Sequence, residues 1–181
     1  RGTVINSSAS GDLNSTSGSV RVGGLVGRND GTVSNSSASG AVDGLTSVGG
    51  LVGTNSGTVS NSSASGNMGD GSQVGGLVGS NSGNVSTSSA SGDVSTDTLD
   101  VGGLVGINDG TVSNSSASGA VNGSKYVGGL VGYNGETVSN SSARGAVTGF
   151  SAVGGLVGFN YGTVSTSSAS SAVTGFGLVG G

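Results

Sequence analysis

The hexapeptide Val-Gly-Gly-Leu-Val-Gly occupies residues 22–27 and decides how this chain must fold, because it returns at regular intervals. Further copies begin at Val48, Val74, Val101, Val127 and Val153, so that successive copies start 26 or 27 residues apart. Recurrence at a fixed period of this length indicates a repeat architecture, in which each repeat is one structural unit stacked on the next.

The repeat unit extends well beyond the hexapeptide. With few substitutions, the copies read VGGLVG-x-N-x-GTVSNSSASGAV, followed by four or five variable residues. We expect one repeat domain over 1–181, cut from a longer array. Its coils are a partial coil at 1–21, full coils at 22–47, 48–73, 74–100, 101–126, 127–152 and 153–178, and a truncated coil at 179–181. Three extra residues in the partial coil and one in 74–100 fall in the variable segment, which we therefore interpret as an external loop.

Composition and patterning predict the fold class. Glycine contributes 41 of 181 residues and aromatic residues only 3%, so a large side-chain core is excluded. Helical periodicity is absent, and Val, Thr and Ser between glycine turns predict short strands near Leu25–Val26, Thr32–Ser36 and Ala41–Val42. Such strands bury their apolar faces only when coils stack in parallel, about 4.8 Å apart. The sequence thus predicts an all-β, right-handed parallel β-solenoid with coils of about 26 residues.

A disordered, elastin-like chain is the alternative, because Gly and Ser are typical of flexible linkers. The chain contains no proline, and it holds Asn, Ala and Val at fixed offsets through six units. A flexible chain needs neither property, so the solenoid is favoured.

One asparagine column carries a specific structural prediction. Stacked coils place identical residues over one another, and a side-chain amide can donate to one neighbour while it accepts from the next. We therefore predict a structural asparagine ladder at Asn29, Asn55, Asn81, Asn108, Asn134 and Asn160. The alternative is a set of isolated turn residues, selected for left-handed backbone angles.

The repeat resembles a known family. The segment GGLVG, followed by N-x-G-T-V-x-N and A-x-G-x-V, is similar to the GLUG repeat, in six full copies and two partial ones. The resemblance implies a non-catalytic module of a large secreted or cell-surface microbial protein, such as an adhesin-like molecule or a surface peptidase whose catalytic domain is separate. Many family copies carry a Cys-Tyr pair where this chain has Ser36 and Ser37.

Little in the sequence points to catalysis or metal binding. Without histidine or cysteine, imidazole bases, Ser-His-Asp sites and thiolate ligands are excluded. Asp30 and Asp109 share a coil position but lie three coils apart, and Asp93, Asp97 and Asp100 form a solvated acidic loop that is a poor calcium cage. We expect no catalytic residue, no metal site, no cofactor and no enzymatic activity.

The charge pattern and the hydropathy limit the classes of binding partner that we expect. Five basic residues are scattered along a chain of net charge −4, so we expect no nucleic-acid binding. No apolar run approaches the roughly 20 residues of a membrane span, so we expect no membrane insertion by this segment.

Alternation along the predicted strand suggests an outward hydroxyl face. If Val33 points inward, Thr32, Ser34 and Ser36 point outward, and stacking turns them into columns. The predicted face comprises Thr32, Ser34, Ser36, Thr58, Ser60, Ser62, Thr111, Ser113, Ser115, Thr137, Ser139, Ser141, Thr163, Ser165 and Ser167. Ordinary soluble surface is the favoured interpretation, and ice binding by a flat Thr/Ser face is the alternative.

The six aromatic residues gather in the last three full coils, between Tyr126 and Phe176. The position before the ladder asparagine reads Arg28, Thr54, Ser80, Ile107, Tyr133 and Phe159, so it tolerates charge and is expected to face solvent. The predicted contact stripe comprises Ile107, Tyr133, Phe159, Tyr161, Phe150 and Phe176. An exposed apolar patch usually marks a contact surface; mutual packing of loops is the alternative.

These observations predict an extracellular or cell-surface structural or adhesive module, acting as a stalk, adhesin or surface filament. The alternatives are ice binding and a spacer region of a secreted enzyme. Expected partners are other copies of the chain, end to end or laterally, or a carbohydrate or protein ligand at the cell surface. Uncapped strands at both ends of 1–181 predict head-to-tail stacking or continuation into further coils.

Overall fold

The computed structural model describes residues 2–15, 18 and 20–181. In this part of the chain every regular element is a β-strand, all strand pairs are parallel, and the coils stack about 26 residues apart into a β-solenoid of about seven turns. The predicted solenoid is confirmed. Arg1, Thr16, Ser17 and Ser19 lie outside the described residues, and the extra residues predicted for the loop of the partial coil fall partly on them.

The coils contribute strands to five parallel sheets, here called sheets I to V in chain order, although coil 48–73 has only a single bridge residue, Met68, in place of its sheet V strand. Sheet I contains Arg21–Gly23, Ser47–Gly49, Gln73–Gly75, Leu99–Gly102, Lys125–Gly128, Ser151–Gly154 and Val179–Gly180. Sheet II contains Val26–Asn29, Val52–Asn55, Val78–Asn81, Val105–Asn108, Val131–Asn134 and Val157–Asn160. Sheet III contains Thr3–Ile5, Thr32–Ser34, Thr58–Ser60, Asn84–Ser86, Thr111–Ser113, Thr137–Ser139 and Thr163–Ser165.

The two remaining sheets have two-residue strands. Sheet IV contains Ser8–Ala9, Ser37–Ala38, Ser63–Ala64, Ser89–Ala90, Ser116–Ala117, Ser142–Ala143 and Ser168–Ala169. Sheet V has a two-stranded part, Leu13–Asn14 with Val42–Asp43, and a four-stranded part, Val94–Ser95, Val121–Asn122, Val147–Thr148 and Val173–Thr174. Single bridges from Met68 to Val42 and to Val94 connect the two parts.

The stacking register follows the sequence period. Val48 pairs with Val22 on one side and with Val74 on the other, and the same residue-on-residue pairing continues through Val101, Val127, Val153 and Val179. The prediction that hexapeptide valines lie above one another is therefore confirmed.

The strand boundaries differ from those predicted. Sheet II begins at Val26 and continues to Asn29, and the predicted strand Thr32–Ser36 ends at Ser34 because Asn35 adopts a left-handed backbone with φ of 50°. The third strand is Val42–Asp43, one residue later than predicted. Sheets I and IV were not predicted, because strands of two to four residues beside glycine and serine are too short to show an alternation of apolar and polar residues.

The hydrophobic core is thin and forms two clusters. One joins the leucines of the hexapeptides to the inward Val and Ala residues of sheets II, III and IV. The other joins the valines of sheet I to those of sheet V, with Met68 among them. The interior leaves little room between the hexapeptide and sheet IV: a Cβ placed on Gly50 would lie 2.8 Å from the Cβ of Ala64.

The glycines of the hexapeptide allow sheets I and II to pack backbone against backbone. A Cβ on Gly49 of sheet I would lie 2.7 Å from the backbone nitrogen of Gly79 in sheet II, and one on Gly53 of sheet II would lie 2.7 Å from the backbone nitrogen of Val22 in sheet I. Real Cβ atoms do not approach backbone atoms this closely, so a larger residue forces the two sheets apart.

Candidate contact surface and buried ladders

The asparagines at the end of each sheet II strand form one continuous hydrogen-bonded column. Asn55 donates its side-chain Nδ2 to Oδ1 of Asn81 at 2.8 Å, and Asn81 donates in the same way to Asn108 at 2.8 Å. The same contact joins Asn29 to Asn55, Asn108 to Asn134 and Asn134 to Asn160, at 2.7 to 2.8 Å. From Asn55 to Asn134 these side chains are fully buried, so each amide relies on its neighbours for hydrogen bonding.

Each ladder asparagine also closes its own turn. Oδ1 of Asn81 accepts the backbone N–H of Gly83 at 3.2 Å, and its Nδ2 donates to the Gly83 carbonyl at 3.1 Å. Left-handed backbone angles of non-glycine residues occur elsewhere: in sheet I at Asp100, Tyr126 and Ala152, and at the corner between sheets III and IV in Asn6, Asn35, Asn61, Thr87, Asn114, Asn140 and Thr166. The residues with turn-type backbone are thus a different column from the one that stacks its amides.

The serine column at Ser36 corrects the predicted hydroxyl face. Ser36, Ser62, Ser115 and Ser141 were expected to point outward, but each is only 4% exposed. The left-handed residue that precedes each serine interrupts the alternation, and the hydroxyl turns inward. Ser167 in the last coil is half-buried.

These inward hydroxyls form a second ladder that the sequence reasoning missed. Ser88 Oγ accepts the backbone N–H of Ser62 at 3.2 Å and donates to the Ser86 carbonyl at 2.7 Å. The pattern repeats from Ser7 to Ser167. The resemblance to the GLUG repeat places cysteine at this position in other members of the family, and a small side chain suited to burial was the signal that could have identified an inward position.

The two other hydroxyl columns remain on the outer side of sheet III. Thr58 and Ser60 are half-buried and stand in register with Asn84 and Ser86 one coil later. Thr111, Ser113, Thr137 and Ser139 continue the columns, and Thr163 and Ser165 are exposed in the last coil. Asn84 interrupts the threonine column, so the threonine surface is not continuous.

The structure divides the six residues of the predicted contact stripe into separate groups. Ile107, Tyr133 and Phe159 occupy one column of sheet II, in direct register with Ser80. Phe150 and Phe176 pair on the loops before sheet I with ring centroids 5.8 Å apart. Tyr161 is 79% exposed and has no aromatic neighbour among the described residues.

Tyr126 joins the sheet II column and was not included in the prediction. Its ring centroid lies 5.0 Å from that of Phe159 and 6.2 Å from that of Tyr133, and the Tyr133 and Phe159 rings stack with centroids 5.6 Å apart. Tyr126 has φ of 55°, a left-handed conformation that costs a non-glycine residue on the order of 1–3 kcal/mol. We call Tyr126, Tyr133 and Phe159 the aromatic cluster.

Charged groups are sparse around these surfaces. Arg28, in the first strand of sheet II, pairs with Asp30 at 2.9 Å. Its guanidinium lowers the pKa of the exposed Asp30 carboxyl. Burial raises the pKa of Asp100, and Lys125 partly opposes this effect. Within residues 2–15, 18 and 20–181, no group of three or more His, Cys, Asp or Glu side chains is arranged to hold a metal ion. The same residues include no helix long and apolar enough to cross a membrane.

Comparison with known proteins identifies the family. The family model of the GLUG motif matches five consecutive segments, residues 18–43, 44–67, 70–95, 97–122 and 123–148, which together cover most of the chain. No curated protein and no solved structure matches the chain. Each matched segment corresponds to about one coil, so one sequence repeat is one turn of the solenoid. The chain therefore belongs to the GLUG-motif family.

Proposed function

We propose that this chain is a non-catalytic structural module that displays a contact surface on a rigid β-rod outside the cell, as part of an adhesin-like or filament-forming surface protein. The observation that carries the proposal is the residue-on-residue register of the coils, which is continuous in sheets I to IV. Because the asparagine and serine ladders cross every coil junction from Asn29 to Asn160 and from Ser7 to Ser167, neighbouring coils are fixed by side chains as well as by strands.

The geometry favours a surface-displaying role over a plain spacer. With one strand spacing of about 4.8 Å per coil, seven turns give a rod of about 34 Å. A coil of 26 residues therefore advances the rod by only about 0.2 Å per residue, whereas an α-helix advances by about 1.5 Å per residue. A solenoid thus provides little length for its mass and a large lateral surface, on which each side-chain position repeats as a column.

The chemistry of the exterior supports a contact role in a small region only. Most outward positions carry Ser, Thr, Asn or Gly, whereas the last three full coils carry all six aromatic residues. Aromatic side chains with polar tips are common at contact surfaces because one side chain provides both apolar area and a hydrogen-bonding group. The extracellular location is inferred from the GLUG resemblance, since such repeats occur mostly in secreted or surface proteins.

Antibody labelling of the source cells tests the proposal. An antibody raised against the 181-residue chain should label intact cells as strongly as permeabilised ones, with an antibody to a cytoplasmic enzyme as the permeabilisation control. Labelling that appears only after permeabilisation contradicts the extracellular location. Beads coated with the chain should also adhere under flow to the surfaces that the cells colonise, and adhesion no greater than that of albumin-coated beads contradicts the contact role.

A further inference from the structure

We propose that the aromatic cluster is a docking surface for a cationic protein segment, one that presents arginine or lysine side chains. This inference deepens the proposed contact role and rests on it. It commits to one occupant, and the chemistry of the cluster and its surroundings supports that choice.

One ring of the cluster, Tyr126, already lies against a cation of the chain itself. The ammonium group of Lys125 lies 4.5 Å from the centroid of the Tyr126 ring, within the distance at which a cation is attracted to an aromatic face. Among the described residues, this is the one aromatic ring with a cation over it. Phe159, the outermost ring of the cluster, is 36% exposed and can receive a second cation from a partner.

The backbone is arranged to keep the cluster together. Tyr126 and Asp100 occupy equivalent left-handed positions in successive strands of sheet I, and the pairing of Lys125 with Leu99 and of Val127 with Val101 leaves both outside the ladder register. This conformation directs the Tyr126 ring to the neighbouring sheet II column, where it contacts Tyr133 and Phe159. Ala152, the equivalent residue one coil later, has the same left-handed backbone with φ of 51°, so the conformation belongs to this position of sheet I, and at Tyr126 it places a ring in the cluster.

Carboxylates in the same coils as the rings and in the preceding strand of sheet I give the surface its charge preference. Asp109 and Tyr133 both lie next to Gly135: a Cβ placed on this glycine would lie 2.6 Å from Asp109 Oδ1 and 3.4 Å from Tyr133 Cε1. Glu136 is exposed at the same corner, and Asp100 follows Leu99 in the adjacent strand. Lys125, the basic residue of this region, is already engaged with Tyr126. The combination of acidic groups and aromatic faces complements a cation, and a guanidinium is favoured because its planar group stacks on rings and pairs with carboxylates.

The chain provides its own matched control. Toward the N-terminal coils the column of Phe159 and Tyr133 continues as Ile107, Ser80, Thr54 and Arg28, in the same register. Serine is thus a native residue of this column, so Tyr133→Ser and Phe159→Ser leave the coil-to-coil pairing unchanged. At the N-terminal end of the column, Arg28 is paired with Asp30, so this end offers a cationic partner neither an aromatic ring nor an unpaired carboxylate.

Fluorescence anisotropy with a labelled oligoarginine peptide tests the inference, at about 0.15 M salt, where exposed charges beyond about 8 Å are screened. The 181-residue chain should bind the peptide, and an oligoglutamate peptide should not bind. The double variant Tyr133→Ser/Phe159→Ser should weaken binding by about tenfold or more, corresponding to the loss of one or two cation–π contacts. Asp109→Asn/Glu136→Gln should weaken it several-fold and reduce its salt dependence, whereas Arg28→Ser should bind at least as well as the unaltered chain.

Three results overturn the inference. The first is that the double serine variant binds oligoarginine as tightly as the unaltered chain, because net charge alone then accounts for the binding. The second is binding of a neutral hexose oligosaccharide, with loss in the double variant, while the peptide fails to bind. The third is self-association of the chain, measured by light scattering, that the double variant abolishes without any effect on peptide binding. None of these results affects the labelling of intact cells, so failure of this inference is distinguishable from failure of the proposed function.

Discussion

Replacing Asn81 by aspartate tests the asparagine ladder most sharply, because the change removes one amide group and adds one titratable group. Asn81 is fully buried; its Oδ1 accepts from Asn55 and Gly83, and its Nδ2 donates to Asn108. A carboxylate keeps both acceptor contacts, but it places a negative oxygen against Oδ1 of Asn108, which then loses its donor. The variant therefore combines an unsatisfied buried acceptor, costing about 1–3 kcal/mol, with a buried charge.

The buried charge gives the prediction its pH dependence. Burial and the facing oxygen raise the pKa of the new carboxyl in the folded state above its unfolded value of about 3.9. Stability is therefore highest below the unfolded pKa, where the neutral acid donates a proton to Asn108 Oδ1, and it is lost as the pH rises through the folded pKa. A shift of about two to three units corresponds to about 3–4 kcal/mol at pH 7, most of it regained near pH 3.

Urea denaturation followed by circular dichroism measures the effect at both pH values, and hydrogen exchange locates it. Asn114→Asp is the matched control, because Asn114 is exposed at a left-handed corner that aspartate also tolerates. We expect the control to change the free energy of unfolding by less than about 0.5 kcal/mol at either pH. If Asn81→Asp matches the control at pH 7, or shows no gain relative to it on acidification, the ladder does not stabilise the coil junctions.

Other predictions address the second ladder, the hydroxyl face and Asp100. Ser88→Ala removes the acceptor of the Ser62 N–H and should cost about 1–3 kcal/mol in urea denaturation; Ser89→Ala, at an exposed neighbour, should be near neutral, and equal costs contradict the inward assignment. The chain should show no thermal hysteresis and should not shape ice crystals, because Asn84 interrupts the threonine column; faceted crystals refute this. Because burial raises the pKa of Asp100, Asp100→Asn should raise the thermal midpoint of unfolding at pH 7 and leave it unchanged below pH 3.8, the ordinary pKa of an aspartate. A change of midpoint that is the same at every pH contradicts burial of the charged carboxylate as the cause.

The repeat period alone was sufficient to predict most of the fold. Because the hexapeptide restarts every 26 or 27 residues, parallel stacking is sufficient to place Val48 between Val22 and Val74 and one ladder asparagine over the next. This inference needs no knowledge of where each strand begins. It depends only on identical residues being equivalent in successive coils.

Side-chain direction within a coil was less predictable. Strict alternation from Val33 places Ser36 outside, but the left-handed residue at Asn35 reverses the expected side, and serine alone does not reveal this. Sheet I was missed for a related reason: Gly23 and its equivalents make contacts through the backbone, and a residue without a side chain leaves no pattern of hydropathy. Tyr126 was left out of the contact stripe because its ring reaches the cluster through an unusual backbone angle at a position that alignment alone assigns to a loop.

The short pitch of the solenoid has a mechanical consequence. Each coil adds about 4.8 Å to the rod but holds 26 residues, which span about 90 Å when extended. Because each coil contacts only its neighbours, tension along the axis acts on the outermost coil first, and coils detach one at a time. Without cysteine there is no disulfide to limit the unwinding. Under load, a rod of about 34 Å thus becomes a tether of about 600 Å, released in steps that each dissipate the work of separating one coil, and refolding restores the original length when the load is removed.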